Sequence, residues 1–403
     1  MSQEPKSPDL KPQRPYTPVL GIMEDAFAEG SGLKREAVVP VHERSVSAAF
    51  PVTEAGSMEL SVIIPARNEE ENLGACLDSM VQQEESFFRL GEHWEILVVD
   101  DGSTDKTAEI ARSKPGVTVL EAQALKQGWT GKANAIWTAV QQARGNWLLF
   151  TDADTVHERA NLRHALHEAQ KYKAGLLSYS PRQLTSGFAQ RSLMPLVFCE
   201  LALSYPPARV SDPADKLAAA NGQFMLFSRD AYRKIGGHQA VKGRILEDVE
   251  LALIAKRRGV GLRFRYAPDA LSTRMYRTTA QMDEGWSKNL ALLFANCRTL
   301  AFWRFIDILL LFGLPLLAAH YWRYPIAPLV MVPWLTAGVL ISLLWFRTLI
   351  RFYGRARKSN FPWIDCLLTP FGLPRFIYLL IRSWWLNEVK KQVAWKGRSY
   401  QDQ

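Results

Sequence analysis

Residues 149–154 read Leu-Phe-Thr-Asp-Ala-Asp, an apolar segment that ends in two carboxylates one residue apart. In a parallel α/β sheet, ligands bind at the carboxyl ends of the strands. Two acids in that position suit a divalent cation on a diphosphate, because Mg²⁺ and Mn²⁺ prefer hard oxygen ligands. The same pair of acids also occurs in turns and helix caps, so the neighbouring segments decide its meaning.

Segments rich in Val, Ile and Leu alternate with helical patterns on both sides of this stretch. The predicted strands cover residues 60–64, 95–99, 117–120, 147–151, 224–228 and 262–266. The predicted helices cover residues 69–83, 105–113, 132–143 and 158–173. This alternation predicts an α/β fold with a mostly parallel sheet and helices on both faces.

A polar loop with the sequence Pro-Ala-Arg-Asn-Glu follows the first predicted strand at residues 65–69. Arg67 offers a planar donor fork that suits a phosphate or a base edge. Asn68 and Glu69 are predicted to open a helix, whose N-terminal N–H groups favour an anion. The alternative is an ordinary proline turn before a capped helix.

The second predicted strand ends in Asp100 and Asp101, which are followed by Gly102. These carboxylates can accept hydrogen bonds from a uracil imide or from ribose hydroxyls, and the glycine lets a ligand approach the backbone closely. Capping of the next helix is the alternative. A calcium-binding EF-hand loop is excluded by the ligand spacing, and no GxGxxG dinucleotide-binding sequence follows any of these strands.

Two further segments place charged residues at predicted helix starts. Lys132 stands at the beginning of a helix, where a cation opposes the helix dipole, and a ligand phosphate would reverse that penalty. A surface lysine is the alternative. Glu247 and Asp248 begin a later helix, where Asp248 is a candidate general base and first-turn acids are the ordinary explanation.

The composition of the 403 residues, with a formal net charge of +9 and a pI of about 9.3, favours an acidic partner surface. Basic residues concentrate beside apolar segments near the C-terminus, which favours an anionic membrane over nucleic acid. The four cysteines show no metal-binding spacing and fit a reducing cytosol. No signal peptide is predicted at the N-terminus.

The ends of the chain differ in composition from its centre. Residues 1–56 are rich in proline and predict a flexible segment. Residues 301–403 predict a membrane region with a transmembrane hairpin at about 305–346, because residues 325–346 are uncharged and basic residues follow them. Prolines and two arginines make residues 363–386 an interfacial or re-entrant element, before a basic tail. For the three apolar segments of this region, namely the two arms of the hairpin and residues 363–386, the alternative is that they are helices packed on the soluble domain.

In chain order, these motifs resemble those of inverting family 2 glycosyltransferases with the GT-A fold. The resemblance covers about residues 60 to 300 and depends on four segments in combination: 65–69, 100–103, 152–154 and 247–248. It implies a Rossmann-like, mostly parallel sheet at residues 57–300 that binds a nucleotide-diphosphate sugar. It also implies a multi-pass cell-membrane enzyme, a hexosyltransferase, whose catalytic domain lies on the cytoplasmic side.

The resemblance implies a role for each motif. Asp154 is implied as the ligand of Mg²⁺ or Mn²⁺, and Asp248, beside Glu247, as the catalytic base. The implied nucleotide-sugar-binding residues are Pro65, Ala66, Arg67, Asn68, Glu69, Asp100, Asp101, Lys132, Asp152 and Ala153. The residues implied near the acceptor and the donor sugar are Asn221, Gly222, Gln223, Trp286 and Lys288.

The chain departs from processive polysaccharide synthases, since it lacks their Gln-x-x-Arg-Trp motif and has Glu-Gly-Trp-Ser-Lys-Asn at 284–289. That segment, with residues 395–398, resembles membrane-bound bacterial enzymes that glycosylate carotenoid acids or other polyprenoid lipids. A single transfer from a UDP-sugar to a lipid or carotenoid-like acceptor is therefore expected. The alternatives are a ceramide-like, hopanoid-type or polyprenyl-phosphate acceptor, and a non-catalytic membrane-anchored sugar-nucleotide-binding protein. Nucleic acid is not an expected partner.

Overall fold

The computed structural model of the chain describes residues 58–83, 87–323, 331–390, 392–395 and 398–401. The predicted flexible segment 1–56 lies outside the described residues. Residues 396–397 of the C-terminal resemblance and residues 324–330 of the predicted hairpin lie outside them too.

A seven-stranded sheet forms the centre of the described structure. Its strands are β1 (Leu60–Ala66), β2 (Trp94–Asp100), β3 (Val117–Glu121), β4 (Trp147–Thr151), β6 (Leu176–Ser180), β8 (Phe224–Ser228) and β9 (Leu262–Tyr266). They lie in the order β3-β2-β1-β4-β8-β6-β9, and only β8 runs antiparallel to its neighbours. The predicted mostly parallel α/β sheet is therefore confirmed.

Two smaller sheets complete the strands. One contains β5 (Thr155–His157), β7 (Arg182–Gln183) and β10 (Leu271–Thr273) in the order β5-β10-β7. The other is a hairpin of β11 (Gln392–Trp395) and β12 (Arg398–Gln401). All six predicted strands are present, whereas β6 was not predicted, because its sequence Leu-Leu-Ser-Tyr-Ser has no continuous apolar run although every residue is buried.

Helices cover both faces of the large sheet. The helices of the first part are α1 (Leu73–Val81), α2 (Thr107–Arg112), α3 (Gly131–Val140), α4 (Asn161–Lys171), α5 (Gly187–Ser204), α6 (Pro207–Ser211), α7 (Arg229–Ile235), α8 (Gly237–Ala240) and α9 (Glu247–Arg257). Val62 and Ile64 of β1 join the apolar cluster that includes α1 and α4. Ile63, which points to the other face, joins the cluster that includes α3 and α9.

The C-terminal helices share a third apolar cluster with α5. They are α10 (Thr279–Leu293), α11 (Cys297–Ile308), α12 (Leu314–Arg323), α13 (Met331–Ala356) and α14 (Trp363–Trp384). The expected domain limit between residues 300 and 301 falls inside α11. Helices α5, α10 and α11 all pack against α14, so this third cluster joins residues on both sides of that limit.

Three helical segments are long and apolar enough to cross a membrane: Cys297–His320, Thr336–Ser359 and Trp363–Val389. The first begins before the predicted limit of about 305 and passes from α11 through a π-helical turn at Leu309–Gly313 into α12. The apolar windows of the first two segments are 17% buried, and that of the third is 50% buried. The third segment therefore has a large contact with the rest of the protein.

Candidate functional site

Three parallel strands bring the polar loops of the chain to one edge of the large sheet. Between β1 and β2, Ala66 lies opposite Asp100, and between β1 and β4, Ile63 lies opposite Phe150. These pairs stand at or near the carboxyl ends of their strands. The loops that follow therefore leave the sheet side by side, as parallel strands require.

The loops after β1 and β2 are bonded to each other where they begin. Nη1 of Arg67 donates to the backbone oxygen of Asp101 over 2.7 Å and lies 3.8 Å from its carboxylate. The carboxylate of Asp100 accepts a hydrogen bond from the N–H of Ser103 at 3.0 Å. Gly102 between them has a φ of +70°, which side chains rarely allow. Arg67 and the two acids are thus brought together.

The expectation that Asn68 and Glu69 open a helix is wrong, because α1 begins at Leu73. Asn68 has a φ of 52°, a left-handed conformation that asparagine tolerates better than most residues. Its N–H donates to Oγ of Ser103 at 3.1 Å, and its side-chain oxygen accepts from the N–H of Thr104 at 2.9 Å. The loop after β1 is therefore bonded to its neighbour instead of starting a helix for an anion.

Lys132 connects two acids that are far apart in the sequence. Its Nζ lies 2.8 Å from Oδ1 of Asp152 and 3.0 Å from Oε1 of Glu247. The hydroxyl of Thr130 caps α3 by accepting from the N–H of Ala133, which places Lys132 in the first helical turn. Two carboxylates offset the unfavourable dipole at this position, so the alternative of an unpaired surface lysine is excluded.

Asp248 lies beside the same cluster at the start of α9. Its Oδ2 accepts a hydrogen bond from the N–H of Gly222 at 2.8 Å. A Cβ on Gly222 would be 3.0 Å from Nζ of Lys132 and 3.4 Å from Oδ2 of Asp248. Gly222 therefore fills the narrow space between the lysine and the carboxylate, where a side chain would crowd both. We call Lys132, Asp152, Glu247 and Asp248 the acid cluster.

The charges of the acid cluster shift the pKa values of its members in different directions. Burial, and then the neighbouring Glu247, raise the pKa of the Asp248 carboxyl to about 6. Burial opposes the charged forms of Lys132 and Glu247, but ion pairing outweighs it. Asp152 and then Glu247 raise the pKa of Lys132, and Lys132 lowers the pKa of Glu247. The adjacent carboxyls of Glu247 and Asp248 thus differ in acidity. Such a difference separates an acid that accepts a proton from one that stays ionised.

A buried hydrogen-bond network lies behind Asp152, and the sequence did not reveal it. The hydroxyls of Thr151 and Thr155 lie 2.9 Å apart, and each lies within 3.2 Å of Nε2 of His157. The Thr155 hydroxyl also donates to the backbone oxygen of Asp152 at 2.7 Å. Burial lowers the pKa of His157 to about 3, so the ring is neutral and holds this turn. The sequence feature that could have indicated this network is the alternation of Thr155 and His157 in a short strand.

The loop at 221–223 is fixed by its own side chains. Oδ1 of Asn221 accepts from the N–H of Gln223 at 2.9 Å, and the Asn221 N–H donates to Oγ of Ser178 at 2.8 Å. The buried amide of Gln223 donates to Oγ1 of Thr273 at 3.2 Å. Within this loop, Gly222 contacts the acid cluster, and the two flanking residues hold the backbone in place.

Helix α10 contributes one residue to the site and one to the core. Burial lowers the pKa of Lys288, and the charge of Glu247 opposes that shift, so this ammonium lies within electrostatic range of the acid cluster. Trp286 is 3% exposed, and its Nε1 donates to Sδ of Met194 at 3.4 Å. Trp286 therefore packs into the helical core instead of lining the acceptor region to which it was assigned.

Asp154 follows β4, and burial and then the charge of Asp154 raise the pKa of the Tyr276 hydroxyl. Ala153 between the two acids is buried. Among the described residues, no group of three or more His, Cys, Asp or Glu is arranged to hold a metal ion. Mg²⁺ commonly binds through one or two carboxylates and substrate phosphates. The donor set therefore fits a cation that binds together with a diphosphate, and it does not form an all-protein cage.

Comparison with known proteins gives a consistent picture of the central domain. Residues 61–236 match the model of glycosyl transferase family 2. The chain is similar to the 4,4'-diaponeurosporenoate glycosyltransferase of Staphylococcus aureus (strain MRSA252), with 28% identity over 356 residues, 85% of this chain and 88% of that protein.

Solved structures show partial similarity as well. A mannosyltransferase from Pyrobaculum calidifontis in complex with GDP-Man and Mn²⁺ aligns with a TM-score of 0.48 and 19% identity, over 86% of this chain and 92% of that chain. S. aureus TarS in complex with UDP-GlcNAc aligns with a TM-score of 0.40 and 14% identity, over 85% of this chain and 96% of that chain.

Proposed function

We propose that this chain, whose residues 61–236 match the model of glycosyl transferase family 2, is a membrane-associated, inverting, metal-dependent glycosyltransferase. It moves a sugar from a nucleotide-diphosphate donor, in this proposal a UDP-sugar, to a lipid or carotenoid-like acceptor. The relative that is named a diaponeurosporenoate glycosyltransferase supports an acceptor of that kind.

The observation that carries this proposal is the double ion pair of Lys132. It joins Asp152, which follows β4, to Glu247, which starts α9, and Asp248 lies next in the chain. The acid that follows β4 and the residue that directly precedes the candidate base thus meet at one ammonium group. A site in which these acids faced separate surfaces would not support transfer between two bound substrates.

The proposed chemistry assigns each step to a side chain of this cluster. Asp248 takes the proton from an acceptor hydroxyl, whose oxygen attacks the anomeric carbon from the face opposite the diphosphate. The bond between that carbon and the diphosphate oxygen breaks, and the diphosphate leaves with the electron pair. Lys132 and Lys288 attract the negative charge that develops on the leaving group. Inversion at the anomeric carbon follows from attack on the opposite face.

A divalent cation, Mg²⁺ or Mn²⁺, is proposed to bind at Asp154 and to neutralise the diphosphate. Asp152 is compensated by Lys132, which leaves Asp154 as the preferred protein ligand of this pair. Arg67, Asp100 and Asp101, at the neighbouring strand ends, are proposed to contact the nucleotide. The remaining residues of the loop at 65–69 shape that contact through the backbone.

The C-terminal helices are proposed to hold the domain at the cytoplasmic face of the cell membrane. The segments Cys297–His320 and Thr336–Ser359 form the spanning hairpin. The segment from Trp363 is proposed to lie at the interface, because Arg375 of α14 forms a two-point ion pair with Asp283 of α10, at 2.9 and 2.6 Å. An arginine held by the soluble domain favours the membrane surface over the bilayer centre.

The proposal is tested by incubating the full-length protein in native membranes with labelled nucleotide sugars and analysing the lipid extract. We expect one labelled lipid product with a UDP-sugar, and none with Asp248→Asn. Product on a ceramide-like, hopanoid-type or polyprenyl-phosphate lipid would identify one of these alternative acceptors. Nucleotide-sugar binding without release of UDP in any lipid extract would support a non-catalytic binding protein instead.

A further inference from the structure

A cavity of about 520 Å³ lies beside the small sheet and shares no lining residue with the acid cluster. The end of β7, the first half of α5 and the segment between α13 and α14 form its walls. The charged residues that line it are Arg182, Arg191, Arg274 and Asp365. Three guanidinium groups and a single carboxylate therefore line the cavity.

The carboxylate is already neutralised within the protein. Asp365 is buried, and it accepts hydrogen bonds from Nε of Arg191 at 2.6 Å and from the hydroxyl of Thr185 at 3.1 Å. Arg182 lies 3.7 Å from Glu158, but both side chains are more than half exposed, and such pairs contribute little in water. The cavity therefore retains the positive charge of Arg182 and Arg274.

Exposed apolar side chains surround this positive cavity. Ile364, which lines it, is 47% exposed, and the adjacent Trp363 is 71% exposed. Phe188 of α5 is 58% exposed, and its ring centre lies 6.1 Å from that of Phe371, which is 59% exposed. A basic cavity with exposed apolar side chains on the same helices matches an amphiphile better than a soluble anion.

The cavity also lies next to the cytoplasmic end of the proposed membrane hairpin. Residues 360–362, which line it, join the end of α13 to the start of α14. Five basic residues precede this junction, namely Arg347, Arg351, Arg355, Arg357 and Lys358. In the proposed orientation, such a cluster marks the cytoplasmic headgroup layer.

We propose that this cavity binds the phosphate headgroup of an anionic phospholipid, a proposal that rests on the membrane placement above. The guanidinium groups of Arg182 and Arg274 hold the phosphate, because their planar forks match phosphate oxygens. The acyl chains lie along Ile364 and Trp363. Basic pockets on the cytoplasmic side of membrane helices bind lipid headgroups in this manner.

The test uses the full-length protein in non-ionic detergent, titrated with short-chain phosphatidylglycerol, short-chain phosphatidylcholine and inorganic phosphate. We expect phosphatidylglycerol to bind about tenfold more tightly than phosphatidylcholine, and the double variant R182Q/R274Q to lose that preference. The matched control is R89Q/R112Q. It removes two arginines that are more than half exposed and that form ion pairs at 3.5 and 3.9 Å. The control should keep the preference.

Several results would overturn the proposal. Equal affinity for the two lipids, an unchanged preference in R182Q/R274Q, or inorganic phosphate that binds as tightly as phosphatidylglycerol would each exclude a headgroup site. Flotation with neutral phosphatidylcholine vesicles separates this failure from that of the membrane placement. A protein that does not float contradicts the placement itself, whereas one that floats without preferring the anionic lipid contradicts only the cavity assignment.

Discussion

The carboxyl of Asp248 is the proposed base, and its surroundings shift its acidity. A base must be ionised, and burial together with Glu247 raises the pKa of this acid to about 6. We therefore expect kcat/KM to fall about tenfold for each pH unit below about 6. Asp248→Asn should lower kcat by at least about a hundredfold while donor binding is kept. Steady-state rates across the acidic range and calorimetry with UDP check this, and normal turnover in the variant would exclude Asp248 as the base.

Glu247 provides a sharper test of the same cluster, because its negative charge is the second cause of the raised pKa of Asp248. Glu247→Gln removes that charge and should move the acidic limb of kcat/KM to lower pH. Glu250→Gln, in the same helical turn, is the matched control and should leave the limb in place. A limb that moves upward, or moves equally in both variants, would contradict the electrostatic coupling.

Asp154 is the residue on which the proposed metal dependence rests. Asp154→Ala should remove the part of UDP-sugar affinity that depends on Mg²⁺ or Mn²⁺, because the cation loses its protein ligand. Calorimetry with and without a chelator measures this part directly. The variant and the chelated wild-type protein should have similar affinities, and an Asp154→Ala protein that still gains affinity from the cation would show that another group holds it.

The sequence predicts the charged residues at the strand ends. It does not predict the hydrogen bonds and packing contacts that hold the neighbouring residues in place. Asp152, Lys132 and Glu247 were singled out by position, and the structure brings these three together. The turn of His157 and the left-handed Asn68 were missed, because each depends on hydrogen bonds to another segment. Trp286 was assigned to the site on a local resemblance, and the packing partner that buries it is 92 residues away.

At the scale of elements, the contact between α5 and α14 is held by close backbone packing. A Cβ on Gly372 would lie 2.2 Å from the backbone oxygen of Ser192, which nothing flexible can relieve. Gly372→Ala should therefore lower the free energy of unfolding by about 1–3 kcal/mol. Gly354→Ala, in exposed α13 with no such neighbour within 4 Å, should raise it by up to about 1 kcal/mol.

Denaturant unfolding of both glycine variants in the same micelles compares the two effects. Because the two substitutions add the same methyl group, opposite signs isolate the packing against α5 from helix propensity. Equal destabilisation by both would indicate that the detergent, and not the helix contact, determines the result.

The continuity of helix α14 is not predicted by its own sequence. Pro370, Pro374 and Arg375 predicted an interrupted, partly polar element, yet the helix continues through all three. Both prolines lie inside the helix, and Arg375 is compensated by Asp283, 92 residues earlier in the chain. The local sequence shows that these residues disfavour a continuous apolar helix. The contacts that stabilise them in it come from distant segments of the chain.

At the scale of the whole molecule, an ion network ties the C-terminal helices to helix α5 of the central α/β domain. Glu200 of α5 accepts from Arg304 of α11 at 2.8 Å and from Arg355 of α13 at 3.0 Å. Asp307 of α11 lies 3.2 Å from Nε of Arg304. Charged groups at this level need protein partners or the headgroup layer, so the bilayer interior in our proposal lies beyond them, along α12 and the first part of α13.

This arrangement predicts that the turn of the hairpin and the end of its second arm face opposite sides of the membrane. Arg323, at the end of α12, should lie outside the cytoplasm, and Lys358, after α13, should lie within it. The four native cysteines are buried and give little background, so Arg323→Cys and Lys358→Cys can be labelled with an impermeant maleimide. In intact cells only the first should react, and after permeabilisation both should. Reaction of both in intact cells, or of neither until permeabilisation, would mean that the helices pack on one side of the membrane and that the ion network joins a peripheral bundle to the domain.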